Sequence, residues 1–166
     1  MNKLSQSLQT IKAARYIGQN LKVQIIARYT ELPEKYLRAL VKELTGRAPS
    51  SGRLITTQRL FRNKRTITAC ILFVSIYLRL DEQKNNDVDL EILINAYKQF
   101  TKQAVLFEVL NHPQCSFTIN DAWVLINAYL DKVIQLSPCP CGNVKLISRD
   151  IQIDERCWFC GSVARY

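Results

Sequence analysis

The chain has 166 residues, 48% of them hydrophobic and 22% charged, with only five glycines and five prolines. That mixture excludes an intrinsically disordered, collagen-like or disulfide-knotted protein, and about 70% of the extended surface of such a chain can be buried on folding. The net charge of +9 lies at the front. Residues 1–68 hold six Lys and eight Arg against Glu31, Glu34 and Glu43, a net of +11, whereas residues 69–166 hold nine basic and eleven acidic residues. A long-range electrostatic partner is therefore expected to meet the front of the chain, with nucleic acid ahead of an anionic membrane or an acidic protein.

The opening residues MNKLSQSLQT lack the pattern of a secretory leader, and the most apolar stretch, Ile67 to Leu78, is too short to span a bilayer as a helix. A cytoplasmic location with reduced thiols and no membrane partner is the expectation. Leu4, Leu8, Ile11, Ala14, Tyr16 and Ile17 predict an amphipathic helix over residues 4–17, closed by Gly18 to Asn20. A second helix is expected over residues 21–29, with Leu21, Ile25, Ile26 and Ala27 on its buried side. Glu31 to Pro33 make the turn, and a third helix follows over residues 34–44 before Gly46. Tyr36, Leu37, Leu40, Val41 and Leu44 supply its core side, while Lys35, Arg38 and Lys42, three and four apart, share another face.

Two short helices around a tight turn, the second with a basic outer face, have the proportions of a helix-turn-helix suited to a major groove. A plain helical hairpin with a basic surface fits the same residues. GRAPSSG, residues 46–52, with Arg47 and Arg53 and then Arg59, Arg62, Lys64 and Arg65, reads as a basic connector that either follows phosphates or is merely solvated. As a phosphate-gripping loop it fails, because Arg53 and Leu54 stand where Lys and Ser or Thr are needed.

Residues 66–80 predict a buried helix containing Cys70, and residues 81–89 a polar connection. Residues 88–110 predict one long or two abutting helices with a stripe of Ile92, Leu93, Ala96, Phe100, Ala104, Phe107 and Leu110. Thr118 and Asp121 form a capping box for a helix expected over residues 119–136, whose apolar side carries Trp123, Ile126, Leu130, Val133 and Ile134. His112, the only histidine, and Cys115 lie in a loop with no catalytic motif beside them. Nothing in the sequence assembles a familiar active site, so no enzyme is expected.

Cys139, Cys141, Cys157 and Cys160 form the segment CPCGNVKLISRDIQIDERCWFC. Fifteen residues separate the pairs, which suits a four-cysteine structural zinc site; disulfide or redox chemistry and an iron–sulfur centre are the alternatives. The first pair, with one intervening residue, is tighter than usual. Val144 and Leu146, then Ile151 and Ile153, alternate about Arg149-Asp150 and predict a hairpin that a metal would support. Trp158 and Phe159 are read as packing over this module, with contact to a partner or nucleic acid as the other reading. The fold class expected is mainly α: a helical domain with a helix-turn-helix-like front and a small C-terminal zinc module containing a β-hairpin.

LKVQIIARYTELPEKYLRALVKELTG at residues 21–46, INAYKQF at 94–100, DAWVLINAYLDKVIQLSPC at 121–139 and the closing ERCWFC resemble, in that order, the FlhC family of bacterial master transcription activators. The resemblance implies a DNA-binding activator subunit working in a hetero-oligomer of four FlhD-like and two FlhC-like subunits. It also implies recruitment of RNA polymerase and zinc held by Cys139, Cys141, Cys157 and Cys160. The family's first pair ordinarily has two intervening residues, so the departure falls on Cys141, and the chain stops short of the longer polar tail of flagellar members. Relatives on conjugative elements switch on DNA-transfer genes, which leaves flagellar and transfer promoters both open. Lys35, Arg38 and Lys42, with Arg28 and Arg47, are expected to contact duplex DNA, and Arg53 to extend the footprint. The expected organisation is a DNA-binding region over 1–65, a helical oligomerisation region over 66–136 and a zinc module over 137–166. A zinc-containing RNA-binding or structural adaptor, and then a nucleic-acid enzyme, are the alternatives.

Overall fold

A computed structural model describes residues 3–50, 52–82, 86–106, 116–153, 156–157 and 159–162. The chain divides into two compact units, Met1–Arg53 and Leu54–Tyr166.

The first unit is a three-helix cluster of α1 (Lys3–Gly18), α2 (Val23–Thr30) and α3 (Glu34–Thr45). Asn20, in the left-handed region at φ 61°, and its amide bond to the Ile17 carbonyl turn the chain out of α1. Glu31 does the same for α2 at φ 55°, its amide donating to Ala27. Buried Leu32 then tucks the three-residue turn inward, and Pro33 precedes α3, its carbonyl accepting from the Leu37 amide. The core is built from Ala13, Tyr16, Ile17, Leu21, Val23, Ile25, Ile26 and Leu37.

Two expectations for this unit fail in an informative way. On α3 only Leu37 is buried, Leu40 and Val41 are half-buried, and Tyr36 and Leu44 are 40% and 52% exposed. Leu4, Leu8 and Ile11 of α1 are also exposed. Periodicity found the apolar faces, but a cluster of three short helices covers only a narrow stripe of each.

In the second unit a short α4 (Thr57–Leu60) precedes α5 (Lys64–Leu80), α6 (Leu90–Leu106) and α7 (Ile119–Leu130). The apolar stretch of α5 is a buried helix, as expected: Cys70, Phe73, Val74 and Tyr77 are fully enclosed. Among the described residues no helix is long and apolar enough to cross a membrane. Phe73, Phe100 and Phe117 meet at centroid distances of 5.2–5.8 Å and bind α5, α6 and the start of α7 together. The capping box is present: Thr118 Oγ1 accepts from the Asp121 amide, and the Thr118 amide donates to the Asp121 carboxylate.

The last helix stops six residues before its expected end. Lys132 adopts φ 59°, the Val133 and Ile134 amides fold back to the Ala128 carbonyl, and the chain enters β1 (Gln135–Pro138). Ile134 had matched a helical stripe and Leu136 the helix end, but the two alternate with Gln135 and Ser137 at the two-residue period of a strand. β1 pairs antiparallel with β2 (Val144–Ile147), Leu136 opposite Leu146, and β2 packs on α5. The hairpin of the terminal module therefore lies around the first cysteine pair, and the expected pairing of Val144 and Leu146 with Ile151 and Ile153 is not formed. His112, Cys115, Phe107, Leu110 and Trp158 lie outside the described residues.

Candidate metal centre and nucleic-acid interface

The β1–β2 turn and a second turn at residues 157–162 are built alike. The Cys139 amide donates to the Asn143 carbonyl at 2.7 Å while the Gly142 amide donates back to Cys139 at 2.9 Å. In the second turn the Cys157 amide donates to Ser162 and the Gly161 amide to Cys157, both at 2.8 Å. Each turn ends in a glycine at positive φ, 85° for Gly142 and 73° for Gly161, a region costly for any residue with a Cβ. The one-residue gap of the first pair thus gives a shorter turn with the same double closure.

These turns bring Cys139, Cys141, Cys157 and Cys160 together, with all four Sγ atoms within 4.8 Å of one another. The Cys139–Cys141, Cys139–Cys160 and Cys141–Cys157 sulfurs are 3.4, 3.5 and 3.7 Å apart. A tetrahedron with metal–sulfur bonds of about 2.3 Å has edges of about 3.8 Å, whereas a disulfide needs about 2.05 Å. The cluster can hold a metal ion, and four thiolates complete a tetrahedral set with no open position for water.

Ser162 tunes the cluster. Its hydroxyl lies 3.2 Å from Cys139 Sγ and 3.1 Å from Cys160 Sγ. That hydroxyl, then the Cys141 amide, lowers the Cys139 pKa to about 6; Cys160 is lowered by the same hydroxyl and by the Ser162 amide. At Cys157 the Cys160 amide pulls downward, but burial and the neighbouring thiols of Cys139 and Cys160 win, and its pKa is raised. Thiolate is the form that binds metal. The Asn143 side-chain amide, 3.6 Å from Cys141 Sγ, adds a further donor. Sequence reasoning missed both polar neighbours, although each pair is followed by Gly and then Asn or Ser. Phe159 is 69% exposed and does not pack over the module.

The basic residues singled out from the sequence lie in the first unit, and all are exposed. Lys35, Arg38 and Lys42 line one face of α3, turned away from the Leu37, Leu40 and Val41 stripe. Arg38 pairs with Glu34 at 3.3 Å; both side chains are nearly half exposed, so the pair is weak and leaves the guanidinium available. Arg28 sits in the last turn of α2, and Arg47 follows the left-handed Gly46 that ends α3. Arg53 closes the connector, which is held to the start of α2. Lys22 Nζ donates to the carbonyls of Gly52 at 2.9 Å and Arg53 at 2.7 Å. This tether was not legible in the sequence, where Lys22 is one more cation of the basic half.

Comparison with known proteins decides the family. The sequence model of the family described as "Flagellar transcriptional activator (FlhC)" matches residues 2–166. The chain belongs to the FlhC family. The flagellar transcriptional regulator FlhC of Nitrosomonas eutropha is 29% identical over 159 residues, 95% of this chain and 81% of that protein. The FlhC of Verminephrobacter eiseniae is 32% identical over 124 residues, 74% of this chain and 64% of its own length. Membership makes the chain a transcriptional regulator, a class that is not enzymatic.

Proposed function

We propose that this chain is the DNA-binding, zinc-bearing subunit of a cytoplasmic FlhD/FlhC-type activator that recruits RNA polymerase to flagellar or conjugative-transfer promoters. The observation that carries the reading is α3: a helix held by a narrow apolar stripe, behind a three-residue turn, with Lys35, Arg38 and Lys42 aligned on its exposed side. A major groove admits such a helix, and Arg or Lys reaches guanine acceptors or phosphates from it. Arg28, Arg47 and Arg53 supply further phosphate contacts. Zn²⁺ held by Cys139, Cys141, Cys157 and Cys160 is structural, tying two turns that have little other support. An FlhD-like partner, in a complex of four such subunits with two of these chains, sets two reading helices in register on the duplex.

The test is selection of bound duplexes from a random pool by the assembled, zinc-loaded complex at stated salt, repeated with Arg38→Glu. A common motif is expected, with its enrichment lost or altered in the variant. Absence of any motif, or identical enrichment by the variant, would remove α3 as the reading helix.

A further inference from the structure

Helix α1 is apolar on two sides. Ala13, Tyr16 and Ile17 face the core of the first unit, whereas Leu4, Leu8 and Ile11, four and three residues apart, are 71%, 53% and 66% exposed. At 3.6 residues per turn the second row lies nearly opposite the first, so the contacts that bury one row leave the other open. Beside Ile11 a groove of about 520 Å³ runs between α1 and α3, lined by Gln6, Ser7, Thr10, Ile11 and Tyr36, all uncharged. Thr10 Oγ1 and the Tyr36 hydroxyl, 3.2 Å apart, bridge the two helices there.

Aligned exposed apolar side chains, unlike scattered ones, mark a contact surface. Their spacing is that of one side of a helix–helix seam, and the described residues of the first unit offer no strand to extend. Charge selects the partner. Helix α1 carries Lys3, Lys12 and Arg15 and no Asp or Glu, with Lys12 exposed one turn after Leu8. Residues 1–53 hold ten Lys and Arg against three Glu, a surplus that stands whichever of them pair with one another. A second copy of this unit brings the same sign, and a bilayer takes up a longer and wider apolar face than three side chains present. We infer that the outer face of α1 docks an acidic amphipathic helix of another protein chain, with leucine-sized side chains seated among Leu4, Leu8 and Ile11 and carboxylates beside Lys12. The inference is independent of the DNA reading, because none of the cations assigned to duplex contact belongs to this face.

The test titrates the full-length, zinc-loaded chain into two labelled synthetic helical peptides of equal length. Both carry leucine at four-and-three spacing, one flanked by glutamate and the other by lysine. Fluorescence anisotropy should show the glutamate peptide binding about tenfold more tightly at low salt, the gap narrowing as salt rises. Leu8→Gln/Ile11→Gln is expected to abolish binding of the glutamate peptide, and Lys12→Glu to narrow its advantage over the lysine peptide. Melting temperature should hold in both variants, because all three positions are exposed.

Equal binding of the two peptides overturns the inference, as does binding untouched by the double substitution or an advantage that Lys12→Glu leaves whole. Sedimentation and vesicle flotation supply two further ways to fail. Dimerisation of the chain that the double variant loses, with neither peptide bound, gives the face to a second copy. Attachment to vesicles of anionic phospholipid that the double variant loses, again with neither peptide bound, gives it to a membrane surface.

Discussion

Ser162 is the residue on which the chemistry of the cysteine cluster turns, because one hydroxyl serves two sulfurs. Ser162→Ala is expected to raise the Cys139 pKa from about 6 towards the ordinary thiol value of 9.0, read by thiolate absorbance in reduced, metal-free protein. A depressed thiol pKa stabilises the fold above the unfolded value, and that contribution is lost as pH falls through the folded one. The melting temperatures of wild type and variant should therefore coincide below about pH 6 and separate, wild type higher, towards pH 9. Gly142 is constrained differently. A methyl group there meets nothing within 4 Å, so the penalty of Gly142→Ala is that of the backbone at φ 85° alone. About 1–2 kcal/mol of module stability should be lost, visible as weaker zinc retention against a chelator, whereas Asn143→Ala leaves the turn closed.

Among the elements, α3 keeps its buried support and its basic residues on different faces. Leu37→Ala removes its only fully buried side chain and should cost about 2–5 kcal/mol in denaturant unfolding of the first unit. Arg38→Glu changes an exposed position and should stay within about 0.5 kcal/mol, so a loss of DNA binding there is not a loss of fold. The helices were legible because apolar residues three and four apart mark a face wherever the chain is amphipathic. Which faces find cover was not legible. Leu44 and Tyr36 share the spacing of Leu37 and its neighbours, yet the two other helices reach only the centre of α3. The end of α7 was hidden for a related reason: Val133 and Ile134 fit a helical stripe, and the turn is made by Lys132, a residue type that does not announce a left-handed conformation. The four cysteines stood out by spacing alone, whereas the hydroxyl that serves two of them, Cys139 and Cys160, is an ordinary serine until the turn folds.

For the whole molecule, two units with separate cores predict separable responses to metal loss. Treatment with a strong chelator should expose residues 135–162 to proteolysis while the α1–α3 cluster, whose core contains no part of the cysteine module, keeps its helical signal and melting behaviour. A single cooperative collapse of the entire helical signal on chelation would contradict that independence. If α3 reads DNA as proposed, that surface and the cysteine cluster lie in different units, and zinc-stripped protein should retain weak, salt-sensitive attachment to DNA through the first unit.

The exposed leucine and isoleucine row on α1, at positions 4, 8 and 11, carries a consequence for dosage. A chain synthesised in excess of whatever covers that row holds an adhesive strip open to water, and such strips drive clumping and invite quality-control proteases. If a partner subunit covers that row, as the proposed assembly would allow, surplus copies are self-limiting and its supply sets the ceiling on working activator.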